Sequence, residues 1–180
     1  MINDAFLLPL RAFDLAKERL RAGGTDKVTQ LAHAMALDVL QSCAPRRVVV
    51  LSESDAITRF ATERGAEVYE SSSTSLNEAV QGAYEALGSR FERLIIVHGD
   101  LRTPIGLGLF NPDPGVTIVT DHHGRGTNVL ALPTGEDFHF AYGADSARRH
   151  EEEALRLGLV LHVVTDSPWR FDVDEPSDLN

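Results

Sequence analysis

Residues 46–70 read RRVVVLSESDAITRFATERGAEVYE, and this stretch decides the fold. The valine-rich run 46–51 suits a strand buried on both faces of a parallel sheet. A helix is expected over 55–64, stopped by Gly65, and residues 67–69 can form the next strand. Working outward, the alternation continues on both sides. Upstream, 5–10 is a short apolar run, and Gly23-Gly24-Thr25 leads into a helix over 26–42. Its apolar positions Val28, Leu31, Ala32, Met35, Val39 and Leu40 follow helical spacing. Downstream, Ser75-Leu76-Asn77-Glu78 reads as a capping box, with Ser75 accepting from first-turn amides and Glu78 reaching back. The helix behind it carries Leu76, Ala79, Val80, Ala83 and Leu87 on one face and ends at Gly88. Residues 94–97 form a fourth strand. Strands separated by helices of this length imply right-handed crossovers and a mainly parallel sheet.

The second half is less regular. Strands are expected over 115–120 and 128–132 around a glycine-rich turn, then a helix over 145–157 ended by Gly158. A last strand follows over 159–164, and Pro168 and Pro176 bracket the segment 169–174. The fold class is α/β: a three-layer sandwich with a mainly parallel sheet, as a single domain over residues 1–180.

A chain of 180 residues buries roughly 70% of the surface its unfolded form exposes, enough for a core without disulfides. The lone cysteine, Cys43, excludes an internal disulfide, and its place on an apolar helix face points to the core. The longest apolar runs are far too short to span a bilayer, and Met1-Ile2-Asn3-Asp4 is not a secretory start, so the cytoplasm is expected. A net charge of −10 argues against nucleic-acid or anionic-membrane partners, which need a basic face. For phosphate ligands the same charge favours chemistry in which bound divalent cations reverse the field inside one cleft.

Ligands of an open parallel sheet bind beyond the carboxyl ends of its strands, and three features fall there. His98-Gly99-Asp100 leaves the strand 94–97, with a glycine that keeps the backbone close and a carboxylate placed for Mg²⁺; a turn or cap aspartate is the plainer reading. In Phe171-Asp172-Val173-Asp174, extended alternation puts both acids on one face, as on an exposed strand edge or around a cation. Two strand-end acids from distant sequence, Asp100 and Asp172, are what a hard oxygen-seeking ion requires. The third feature combines Gly124-Arg125-Gly126-Thr127-Asn128 with Tyr142-Gly143-Ala144-Asp145-Ser146 at a helix start, where amides and dipole favour an anion; a hairpin turn and an ordinary cap account for the same residues.

No nucleophile–base arrangement is apparent. His122-His123 lies in a polar turn, and His33 and His150 sit within helices as structural or solvated residues. Zinc spacing, the P-loop and the dinucleotide fingerprint are absent. Phosphoryl and nucleotidyl transfer need no protein nucleophile, because positioning and metal charge carry them.

Several segments in order resemble the guanylyltransferases of coenzyme F420 biosynthesis: Asp14-Leu15-Ala16-Lys17-Glu18-Arg19-Leu20, Leu31-Ala32-His33-Ala34-Met35, Ser75-Leu76-Asn77-Glu78-Ala79, Gly99-Asp100-Leu101, Gly124-Arg125-Gly126-Thr127-Asn128, Phe140-Ala141-Tyr142-Gly143 with Ser146 and His150, and Asp172-Val173-Asp174-Glu175-Pro176. The resemblance implies a nucleotidyltransferase fold of the glycosyltransferase-A type. It also implies Mg²⁺-dependent transfer of GMP from GTP to 2-phospho-L-lactate, phosphoenolpyruvate or 3-phosphoglycerate, with release of pyrophosphate. By position it makes Asp100 and Asp172 metal ligands with Asp174 nearby. Thr127, Gly143 and Ser146 would bind the acid, and Lys17 and Arg19 the triphosphate. Asn77 becomes a guanine or ribose contact beside Gly99. Arg11 stands where the family carries lysine, substituting a forked cation for a point charge, and Arg102 stands where it carries proline. Other readings are a nucleotidyltransferase with a sugar-phosphate or molybdopterin acceptor, and a catalytically silent nucleotide-binding protein. A homodimer is compatible with each.

Overall fold

The computed structural model describes residues 3–13 and 25–173. Seven strands form one sheet: β1 (Asp4–Leu10), β2 (Arg47–Ser52), β3 (Glu67–Glu70), β4 (Arg93–Val97), β5 (Val116–Thr120), β6 (Thr127–Pro133) and β7 (Leu161–Val164). Among the described residues four α-helices accompany them: α1 (Thr25–Ser42), α2 (Asp55–Thr62), α3 (Leu76–Leu87) and α4 (Ser146–Arg156). The strand order is β3-β2-β1-β4-β6-β5-β7. Only β6 runs against its neighbours β4 and β5; the remaining pairs are parallel. The mainly parallel α/β sandwich read from the sequence is the one observed. The expected strand limits shift by a residue or two at most ends.

Alternation along the central strands explains the three layers. In β1, Ala5 and Leu7 join one buried cluster, with Val80, Ala83, Tyr84 and Leu87 of α3 and Ala154 of α4. Phe6, Leu8 and Leu10 join the other, with Val39 and Leu40 of α1 and Ile57 and Phe60 of α2. β4 divides in the same way, Leu94 and Ile96 to one face and Ile95 and Val97 to the other. Each such side chain contributes about 1.5–3 kcal/mol on burial, so neither face can turn to solvent. Cys43 lies in the second cluster, and burial pushes its thiol up to about 12. That is a core residue, as the sequence led us to expect.

The capping box at α3 is different from its expectation. Ser75 occupies the N-cap position but makes no side-chain cap bond. Glu78 instead accepts a hydrogen bond from the Ser73 hydroxyl at 2.7 Å. The serine-rich turn explains this: the amide of Ser73 donates to the Ser71 hydroxyl and that of Ser75 to the Ser73 hydroxyl. That curl brings Ser73, not Ser75, over the first helical turn.

Candidate active site

The carboxyl ends of β1, β2 and β4 surround a cavity of about 430 Å³, lined by Leu10, Arg11, Ser52, Glu53, Ser73, Ser75 and Gly99 among others. Gly99 keeps the backbone close to β1: a Cβ at this position would lie 2.5 Å from a Leu10 methyl group, so a larger residue would require the Leu10 side chain to shift. Arg11 stands at the mouth with its side chain 68% exposed and its Nε 3.8 Å from Glu53 Oε1. It is a loosely held cation.

A second cavity of about 530 Å³ adjoins the first, and His98, Asp100 and Leu76 line both. Its remaining wall includes Asp121, Arg125, Thr127, Gly143, Ser146 and Asp172. Asp172 reaches it because residues 171–173 add an antiparallel bridge to the strand exit. Leu101 pairs with Asp172, the Arg102 amide donates to the Phe171 carbonyl at 2.7 Å, and the Val173 amide donates to the Asp100 carbonyl at 3.1 Å. A proline at 102 would have no amide hydrogen to donate here. Val173 turns away from the cavity and is buried against Val28 and Met35 of α1. Asn128 steadies the segment by donating to the Trp169 carbonyl at 3.0 Å and to Asp172 at 3.5 Å.

Asp100 and Asp172 thus face one cavity from segments far apart in sequence. No cluster of three or more His, Cys, Asp or Glu side chains suited to an ion occurs among the described residues. Two carboxylates in a cavity large enough for phosphates fit Mg²⁺, which commonly takes one or two carboxylates and completes its shell with water and substrate oxygens. Asp174, Lys17 and Arg19 lie outside the described residues.

Two residues expected to contact ligands, Asn77 and Ser146, have protein partners in this structure. Asn77 lines neither cavity. Its amide is spent on the protein: Nδ2 donates to the Tyr142 carbonyl at 3.2 Å, and Oδ1 accepts from the Tyr142 amide at 2.6 Å. It ties α3 to the segment before α4, where a carboxamide can satisfy both backbone groups of one residue. Ser146 lines the second cavity, but its hydroxyl donates to Thr127 Oγ1 at 3.3 Å rather than pointing outward. The amide of Ser146 donates to the Gly143 carbonyl and that of Ala147 to the Arg125 carbonyl. The amides of Ser146 and Ala147 are therefore engaged within the protein. Gly143 is exposed on the wall with φ +114°, a conformation that favours glycine, and no atom lies within 4 Å of where a Cβ would be.

Three residues with no site role expected from the sequence matter here. His98 lines both cavities. Asp121 closes the turn before β6 by accepting from the Arg125 amide at 2.8 Å, with Gly126 so close that a Cβ would lie 2.8 Å from its carboxylate. His150 is fully buried behind Thr127, and burial lowers its pKa from 6.5 to about 4. The i, i+4 spacing of Ser146 and His150 was the available signal, since it places both on one face of α4.

A family model described as Guanylyl transferase CofC like matches residues 5–180. The phosphoenolpyruvate guanylyltransferase of Roseiflexus castenholzii is 33% identical over 180 residues, covering 96% of this chain and 84% of that protein. The 3-phospho-D-glycerate guanylyltransferase of Phenylobacterium zucineum is 29% identical over 181 residues, covering 91% and 82%. The fold is shared with a nucleotidyl transferase from Methanothermobacter thermautotroptrophicus, at TM-score 0.65 and 12% identity over 98% of this chain and 94% of that one. With a match running from β1 to the end of the chain, this protein belongs to the CofC-like guanylyl transferase family.

Proposed function

We propose that this chain is a cytoplasmic guanylyltransferase that joins GMP from GTP to a small phosphorylated carboxylic acid in coenzyme F420 biosynthesis. One observation carries the reading: two cavities of about 430 and 530 Å³ meet at His98 and Asp100. Each has the volume of a small-ligand site, and their shared edge is where a bond between two ligands would form.

GTP occupies the first cavity, with Gly99 on its floor, Arg11 at its mouth, and Lys17 and Arg19 assigned to the triphosphate. The phosphoacid occupies the second, against Thr127 and Gly143, with Ser146 supporting Thr127. Mg²⁺ held by Asp100 and Asp172, with Asp174 assigned to the same ion by the resemblance, would neutralise the phosphate charges that otherwise keep the two substrates apart. A phosphate oxygen of the acid attacks the α-phosphorus of GTP. The new P–O bond forms as the bond to the β-phosphate oxygen breaks, and pyrophosphate departs. This chain supplies position and charge and no covalent intermediate.

The reading is tested by pyrophosphate release with GTP, Mg²⁺ and each of phosphoenolpyruvate, 2-phospho-L-lactate and 3-phosphoglycerate. Release should depend on one of these acids and fall when ATP replaces GTP. No release with any of the three would end the proposal.

A further inference from the structure

Both ring nitrogens of the buried His150 are engaged. The Ala141 amide donates to Nε2 at 3.0 Å, and Nδ1 lies 3.0 Å from Thr127 Oγ1. A backbone amide can only donate, so Nε2 carries the lone pair, and the proton of the neutral ring sits on Nδ1. The rings of Tyr142, Phe138 and Phe140, with centroids 4.8, 6.0 and 6.4 Å away, hold the imidazole in place and out of water. Burial keeps it uncharged, its pKa lowered to about 4. Nδ1–H therefore donates to Thr127 Oγ1, and Ser146 donates to the same oxygen. A hydroxyl has two acceptor lone pairs and one hydrogen. Both lone pairs of Thr127 are taken, and its hydrogen is left for the 530 Å³ cavity that it lines.

We propose that His150 is a positioning residue: fixed as the Nδ1–H tautomer by the Ala141 amide, it makes Thr127 a one-way donor towards an acceptor oxygen of the ligand, strongest for the anionic oxygens of a phosphoacid. A carboxylate or phosphate oxygen satisfies that donor. A ligand group that offers only hydrogens at this point, such as an ammonium, meets a second hydrogen and is disfavoured. The inference rests on the reading that the second cavity takes the phosphoacid, and it adds a residue that never touches that acid. It also accounts for a histidine at 150 where an apolar residue would fill the core equally well.

The tautomer is read directly from the imidazole nitrogen resonances of the ¹⁵N-labelled protein. We expect His150 to be protonated on Nδ1; protonation on Nε2 overturns the inference whatever the activity. Calorimetric titration with the three phosphoacids then compares wild type with Thr127→Val, His150→Phe and the double variant. Each single variant should lose about tenfold to a hundredfold in acid affinity, the worth of one hydrogen bond to a charged group, while GTP affinity holds. The double variant should be no worse than Thr127→Val alone, because both changes remove the same donor. His150→Asn, whose amide can reach towards Thr127 as Nδ1 does, should recover most of the loss, and it serves if the Phe variant does not fold. Undiminished acid affinity in the single variants, or losses that simply add, would overturn the inference alone. Failure of wild type to bind any of the three acids would overturn the assignment of the cavity, and the inference with it.

Discussion

The two adjoining cavities are made in different ways. The first is a by-product of the sheet. Parallel register sets Leu10 beside Ser52, and the strands simply stop there, leaving a hollow under the start of α3. Along its serine-rich rim the polar groups bond locally, as where the amides of Ser73 and Ser75 reach hydroxyls two residues back. The second cavity is assembled from distant parts. Thr127 meets His150 across 23 residues, Asn128 meets Asp172 across 44, and Asn77 meets Tyr142 across 65. A hollow made by strand ends survives most single changes in its wall. One held open by long-range hydrogen bonds can lose its ligand while the fold persists.

The sharpest break lies at the edge between them. On the proposed Mg²⁺ site, Asp100→Asn and Asp172→Asn should each fold normally and lower pyrophosphate release by more than about a thousandfold, since a bound ion would supply several kcal/mol of charge stabilisation. Near-normal release from either variant would remove that carboxylate from the proposed site.

The second cavity also makes the fold sensitive to acid. His150 takes a proton near pH 4 in the fold and near 6.5 when unfolded. Between those values the unfolded chain binds a proton that the native state refuses. Stability is therefore complete above about 6.5 and falls as pH drops, with a loss on the order of 3 kcal/mol by pH 4. Glu153 extends the loss downward: hydrogen bonds from Arg156 chiefly, and from the His139 amide and ring, lower it from 4.5 to about 2. Its contribution is present above 4.5 and disappears as pH falls towards 2. Urea unfolding across the upper window should show this slope in wild type and lose it in His150→Asn. An unchanged slope would mean that another group is responsible.

Asn77 connects the two regions. Asn77→Ala strands a donor and an acceptor on Tyr142 and should cost about 1–3 kcal/mol of stability. Acid affinity should drop more than GTP affinity, because the freed segment leads into Gly143. A larger loss for GTP than for acid would restore Asn77 to the nucleotide.

The smallest effect is expected at the open mouth. Arg11→Ala removes an exposed side chain whose ion pair spans 3.8 Å, so stability should change by no more than about 0.5 kcal/mol. GTP affinity should weaken by only a few-fold in a salt-dependent way. A loss as large as that of Asp100→Asn would mean that the guanidinium grips the phosphates.

Much of this protein was legible in the residues alone. Valine-rich runs separated by amphipathic helices specified a parallel sandwich, because burial of one face repeats every two or 3.6 residues and leaves a local record. The strand 94–97 ended at Gly99-Asp100, which put a carboxylate at the sheet's carboxyl edge before any contact was known. Partners were another matter. That Asp172 would bridge back to the exit of β4, that Asn77 would clasp the Tyr142 backbone, and that Ser146 would turn inward to Thr127 were settled only in three dimensions. A polar side chain bonds whichever donor or acceptor packing brings within about 3 Å, and nothing in its neighbours along the chain names that partner. His150 is the clearest case: on the helix it is one more histidine, and only the amide of Ala141 decides which of its nitrogens carries the proton.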